Sequence, residues 1–141
     1  MLVLHFGDIR PHSSGAGTVG AYALHVQCPW RLDGPTETVT GSGDLWAYAG
    51  PGERPDNWSY DDGLSLQDER FADFFVRDDE TRSWINNGDG FVVVAAQQTK
   101  RGDVKLAFVN GFAISIFPSS STGEAWRFFA PDSDRHLVFP T

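Results

Sequence analysis

Cysteine occurs once in the 141 residues, at Cys28, so no internal disulfide can form and a reducing compartment is expected. Lysine is scarce, two against nine arginines, a bias that with abundant Gly, Ala, Asp and Pro points to a GC-rich bacterial genome. Long apolar runs are missing. The longest, Phe91 to Ala96 (FVVVAA), is far below the roughly 20 residues needed to cross a bilayer, which argues against a helical membrane span. The opening MLVLHFGDIR has neither a basic leader nor a small-residue cleavage site, so the expected location is the cytoplasm.

What is present is enough for a folded body. With 40% hydrophobic and 13% aromatic residues the chain lies outside the disordered class, and at this length it can bury roughly 68% of its unfolded surface. The expectation is a single globular domain over residues 1–141 that needs no metal or disulfide to fold.

Charge is unevenly placed. Between Asp44 and Glu80 stand eleven acids and three bases, which accounts for the whole net charge of -8, whereas the remaining residues balance at eight of each sign. Such a chain repels nucleic acid and anionic lipid, and its acidic segment suits a basic protein partner or a cation. The plainer alternative is a solvated face that keeps the protein soluble.

Period-two alternation marks strands at Leu2 to Phe6 and from Tyr22 to Trp30, where Tyr22, Leu24, Val26, Cys28 and Trp30 share one face. On one continuous strand His25 and Cys28 point to opposite sides, so they cannot serve one site. The LDGP turn at Leu32 to Pro35 predicts a hairpin to a strand near Glu37 to Thr40, and Leu45, Ala47 and Ala49 read as a further strand. Gly50 to Gly63 reads as an irregular loop. Ser65, three residues before Asp68, predicts a capped helix running to about Arg77. Strands follow at Phe91 to Thr99 and Val104 to Val109, then an Asn110-Gly111 turn of type I′ into Phe112 to Phe117, and a last hairpin pairs Glu124 to Phe129 with His136 to Phe139. Consecutive hairpins with one helix place the chain in the α+β class, mainly antiparallel and β-roll-like; the alternative is a β-sandwich.

The motifs of chemistry are thin. GAGTVG (Gly15 to Gly20) satisfies the dinucleotide pattern G-x-G-x-x-G but leads into strand alternation rather than a helix, and so lacks the N–H groups that hold a pyrophosphate. His5, His12, His25 and His136 are scattered without metal-ligand spacing, and no G-x-S-x-G elbow occurs. No catalytic residue, metal site or cofactor is assigned. Cys28, set between Val26 and Trp30, reads as an inert small hydrophobe. Trp58 and Trp84 lie beside acids in predicted loops, where they are either interface residues or loop anchors.

Two stretches, YALHVQCPWR with TGSGDL (Thr40 to Leu45) and EAWRFFAPDSDRHLVF, resemble small uncharacterised actinobacterial proteins that share a domain of unknown function. The strand, Gly-turn, strand ending with Glu-x-Trp is also loosely similar to immunity proteins encoded beside polymorphic toxins. That likeness carries no contact residues over. The leading expectation, a non-enzymatic acidic module that binds a basic protein as an immunity protein binds a toxin, rests on the charge of Asp44 to Glu80 and its neighbouring aromatics, with Asp56, Trp58, Asp61, Asp62, Asp78, Asp79 and Trp84 as the contact residues. A second reading is a small-molecule site or minor enzyme with a pocket between sheet and helix at His25, Arg31 and Trp126. A third is a structural homodimer through the edge strand of the terminal hairpin.

Overall fold

A computed structural model describes residues 1–15, 17–86, 88 and 90–140. In chain order the strands are β1 (Leu2–Phe6), β2 (Arg10–Pro11), β3 (Thr18–Val19), β4 (Tyr22–Val26), β5 (Trp30–Asp33) and β6 (Thr38–Gly41). Two 3-10 turns (Ser42–Trp46 and Tyr60–Asp62) and α1 (Leu66–Ala72) come next, then β7 (Val76–Asp78), β8 (Ser83–Ile85), β9 (Val93–Gln98), β10 (Val104–Phe108), β11 (Ala113–Ile116), β12 (Trp126–Phe129) and β13 (His136–Phe139). Antiparallel hairpins with one α-helix among the described residues make this an α+β fold.

The backbone groups into two compact units. The first comprises Met1–Pro29, Thr99–Asp103 and Ile116–Thr141; the second comprises Trp30–Gln98 and Val104–Ser115. The first unit holds a four-stranded sheet in the order β1-β4-β12-β13, with β4 antiparallel to both β1 and β12. Val26, Leu24 and Trp126 turn to the buried face. There the Trp126 indole donates from Nε1 to the Gly102 carbonyl at 2.8 Å and stacks on Phe139. Gly102 has φ 88° and a β-carbon there would lie 2.3 Å from the Phe139 ring, so only glycine fits beneath that stack.

The second unit holds a five-stranded sheet in the order β6-β5-β11-β10-β9 and the short ribbon β7-β8. An aromatic chain fills it. Phe71 of α1 stacks with Trp30 and meets Phe75 and Trp84 edge-on, while Phe91 joins Phe75, Phe108 and Phe112 at centroid distances of 4.7 to 5.5 Å. Rings at such separations contribute beyond the area they bury.

Four expectations change. The strand read from Tyr22 to Trp30 is two strands, because Pro29 has no N–H to continue a ladder; the Gln27 N–H goes to Ala125 O and the Pro29 carbonyl accepts from Phe117 N. Leu45 to Ala49 is no strand: Ser42–Trp46 coils into a 3-10 turn, and Ala47 and Ala49 bond by their main chain to Leu66 and Leu64, leaving one isolated bridge between Tyr48 and Ser65. The helix stops at Ala72, short of Arg77, since the chain enters the β7-β8 ribbon at Val76. Its predicted start holds, with the Ser65 hydroxyl accepting from Asp68 N–H at 3.1 Å.

The fourth change is the Asn110-Gly111 turn. Only Gly111 has positive φ (86°); Asn110 does not. Gly111 N–H donates to Phe108 O, and Phe108 N–H donates to Phe112 O, so the loop is a three-residue type I turn closed by a glycine bulge rather than type I′. The Asn110 side chain fixes it by accepting from Phe112 N–H. In the GAGTVG stretch Ala16 lies outside the described residues, and the segment after it forms β3 and β4 rather than a helix.

Candidate functional site

The loop from Ala47 to Ser65 is built from the inside out. Trp58 is buried, its Nε1 donates to Gly63 O at 2.8 Å, Tyr48 meets it edge-on at 5.4 Å, and the Arg54 guanidinium lies 5.1 Å from its ring centre. It anchors the loop. At the following turn Ser59 N–H donates to the Asp62 carboxylate while the Ser59 hydroxyl accepts in return from the turn's own N–H groups, a reciprocal cap. Leu64 then takes φ 65°, a backbone state leucine rarely adopts, while its carbonyl accepts from Ala49 N–H and its side chain stays 54% exposed.

This pairing of Ala47 to Ala49 with Leu64 to Leu66 brings two aromatics out to solvent. Trp46 is 65% exposed and meets Tyr60, itself 37% exposed, edge-on at 4.9 Å. Exposed tryptophans in contact with a second aromatic are the kind of residue that anchors protein interfaces. Sequence reasoning passed over this pair because the alternation of Leu45, Ala47 and Ala49 suggested a strand. The flanking Gly41-Ser42-Gly43, poor in strand propensity, was the available signal.

Around this surface the carboxylates are largely free of cations. Within Asp44 to Glu80 the ion pair formed among the described residues is Arg77 with Asp79, at 3.6 Å. Asp56 and Asp61 are exposed on the same loop as Trp58 and Asp62, and Asp44 accepts from the Thr40 hydroxyl at 2.8 Å.

Asp78, Asp79 and Trp84 belong to a different element, the β7-β8 ribbon. Arg77 pairs in register with Trp84 and its guanidinium lies 5.2 Å from the indole centre. Hydrogen bonds from Thr81 hold the Asp78 carboxyl below its usual range, and its Oδ1 accepts from Glu80 and Thr81 N–H, so Asp78 shapes the ribbon's turn. Among the described residues no hydrogen bond, ion pair or ring contact joins this group to the Asp56 to Asp62 loop. The seven predicted contact residues thus fall into two sets, and both tryptophans are anchors rather than exposed rings.

His25 and Trp126, expected to share a pocket, do not line one together. In the β4-β12 register His25 is opposite Arg127 and Trp126 is opposite Val26, so His25 and Trp126 face opposite sides of one sheet. Arg31, in the second unit, donates from Nε to both oxygens of Asp33. A shallow open hollow exists at the β12-β13 hairpin, lined by Phe128, Phe129, Ala130, Arg135, His136 and Leu137, and none of the three predicted residues lines it.

The polar face of the first sheet gathers titratable groups. Burial lowers the pKa of His5, with His25 adding to the effect; burial also lowers that of His25, where Glu124 and Arg127 act in opposite directions. The Arg127 guanidinium holds Glu124 at 2.6 Å and lies 3.1 Å from Nδ1 of His136. In a nearby loop Ser14 Oγ is 2.7 Å from Nδ1 of His12, whose Nε2 is 3.8 Å from Asp132. The order of groups suggests a proton relay, but Nδ1 also accepts Ser14's own N–H, Ser13 holds the Asp132 carboxylate, and 3.8 Å exceeds hydrogen-bond reach, so these contacts fasten the loop. Burial pushes the Cys28 thiol up, against the direction that would make it a nucleophile. Among the described residues no group of three or more His, Cys, Asp or Glu side chains is placed to hold a metal ion, and no helix is long and apolar enough to cross a membrane.

Comparison with known proteins returned no match, whether to family models, curated proteins or solved structures.

Proposed function

We propose that the chain is a non-enzymatic binding module of the immunity-protein kind, acting in the cytoplasm, whose second unit docks a basic protein. The observation that supports this most is the exposed Trp46-Tyr60 pair set in a segment of eleven acids with a single internal ion pair. The aromatic pair supplies desolvated contact area, while exposed Asp56 and Asp61 speed encounter and disfavour acidic partners. Asp78 and Asp79 add to the field without forming the contact surface.

The test is affinity capture from a lysate of the source cells at low and high salt. Wild-type protein retains a basic protein whose yield drops as salt rises, since screening shortens the reach of exposed charges. Trp46→Ala lowers the yield at both salt levels. The pair Asp56→Lys and Asp61→Lys lowers it most at low salt and leaves the Asp62 cap intact. A captured set indifferent to all three substitutions defeats the reading.

A further inference from the structure

Four strands bound the two main sheets: β1 and β13 in the first unit, β6 and β9 in the second. Open edges invite pairing with another chain, and proteins usually blunt them with charge, proline, short length or a covering element. β13 is followed by Pro140 and preceded by Arg135, and every second residue of β1 is partly buried. β6 is overlaid by α1, where Gln67 donates to Gly41 O. β9 differs from all three. It has six residues, each exposed, and Val92, Val93 and Val94 are 60%, 36% and 61% exposed. From Gly90 to Thr99 there is no charged residue and no proline. Its one blunting device is a bulge near Val94, where the register with β10 slips between Ala107 and Phe108.

We infer that β9 is a self-pairing edge, joining two copies of this chain in an antiparallel, two-fold arrangement centred on Ala96. Thr99 N–H donates to Asp103 O across the β9-β10 hairpin, which makes Thr99 a hydrogen-bonded position. By the strict alternation of an antiparallel ladder, Gln97 and Ala95 then also bond toward β10, and Ala96 and Gln98 turn both main-chain groups outward. Two copies related by a two-fold axis at Ala96 exchange both hydrogen bonds at that residue, with Ala95 opposite Gln97 and Val94 opposite Gln98 of the second copy. The occupant is a second copy rather than a basic peptide because the strand offers such a peptide no opposite charge. In a chain of net charge -8, this uncharged run is where identical surfaces meet without like charges facing. One strand pair covers less than a standard interface of about 1,600 Å², so the dimer dissociates in the micromolar range or above.

Sedimentation velocity from about 1 to 500 µM, a range spanning weak association, reads the proposal directly. Wild-type protein passes from monomer to dimer across it. Ala96→Pro removes the outward N–H, spares the bonds to β10, and abolishes the dimer. Ala96→Lys and Ala96→Glu place like charges across the axis, each raising the dissociation constant about fivefold, and their equimolar mixture regains a dimer. Far-UV circular dichroism checks that each variant is folded. As a readout independent of any variant, hydrogen exchange at the Ala96 and Gln98 amides slows with rising wild-type concentration. A wild-type chain that stays monomeric, a dimer that survives Ala96→Pro, a mixture no tighter than its components, or exchange at these amides indifferent to concentration each overturns the inference.

Discussion

The two units divide the chemistry of the chain between them. The first carries all four histidines and five acids against five bases; the second carries four of the five tryptophans and fourteen acids against six bases, and so the entire net charge. The first organises its polar groups: Arg127 with Glu124 and His136, Asp132 with Ser13 and Arg10. The second uses Arg54 and Arg77 over tryptophan faces, leaving Asp56 and Asp61 to solvent. Among the described residues each unit forms two arginine-carboxylate pairs, Arg10-Asp132 and Arg127-Glu124 in the first, Arg31-Asp33 and Arg77-Asp79 in the second. The difference is therefore the second unit's excess of acids, which keeps a field available to a partner.

The largest test of this contrast compares two tryptophans. Trp126→Ala in the first unit removes a 2% exposed ring with its hydrogen bond and stack, and costs about 3–5 kcal/mol in denaturant unfolding. Trp46→Ala, at 65% exposure, shifts stability by no more than about 0.5 kcal/mol. Equal losses would erase the distinction between a structural and a presented ring.

A smaller effect sharpens the second unit's description. Ser65→Ala removes the cap on α1 from a fully buried position and costs about 1 kcal/mol. An unchanged unfolding midpoint would mean that the aromatic chain through Phe71 holds the helix without its cap.

The smallest effect is a response to pH. His5 and His25 have folded pKa values below the ordinary value of 6.5, so on acidification the unfolded chain takes up protons before the native sheet does. Stability is therefore intact above about pH 6.5 and declines as pH falls through that value toward the lowered folded values. Hydrogen exchange of β4 amides should rise between pH 7.5 and 5.5, after correction for the intrinsic rate, and His25→Gln should flatten the change. The second unit contains no histidine, so the β10 amides should show less of this response. Equal pH responses in the two strands would remove this part of the comparison.

The hairpins were legible because their signals are local. Val104 to Phe108 alternates, Gly111 supplies the positive φ its bulge needs, and Ser65 stands three residues before Asp68. Some failures were local, at Pro29 and at the Asn110-Gly111 turn, but in two others the deciding partner was remote in sequence. Ala47 and Ala49 alternate like a strand because one side of that segment docks by its main chain onto Leu64 and Leu66, not because it enters a sheet. His25 and Trp126 looked like companions until the β4-β12 register, set by residues a hundred positions apart, assigned them to opposite faces. The candidate surface was half visible: the acidic segment could be counted, but which tryptophan it exposes depends on Gly63 offering its carbonyl to Trp58 and leaving Trp46 outside.

The ladder between β4 and β12 also orders events during synthesis. Every residue of the second unit has been translated by Ser115, whereas Tyr22–Val26 must wait on the ribosome for Trp126–Phe129 before its sheet can close. The acidic, tryptophan-bearing part is therefore complete first, while the early β1-β4 hairpin emerges with one edge still waiting for β12.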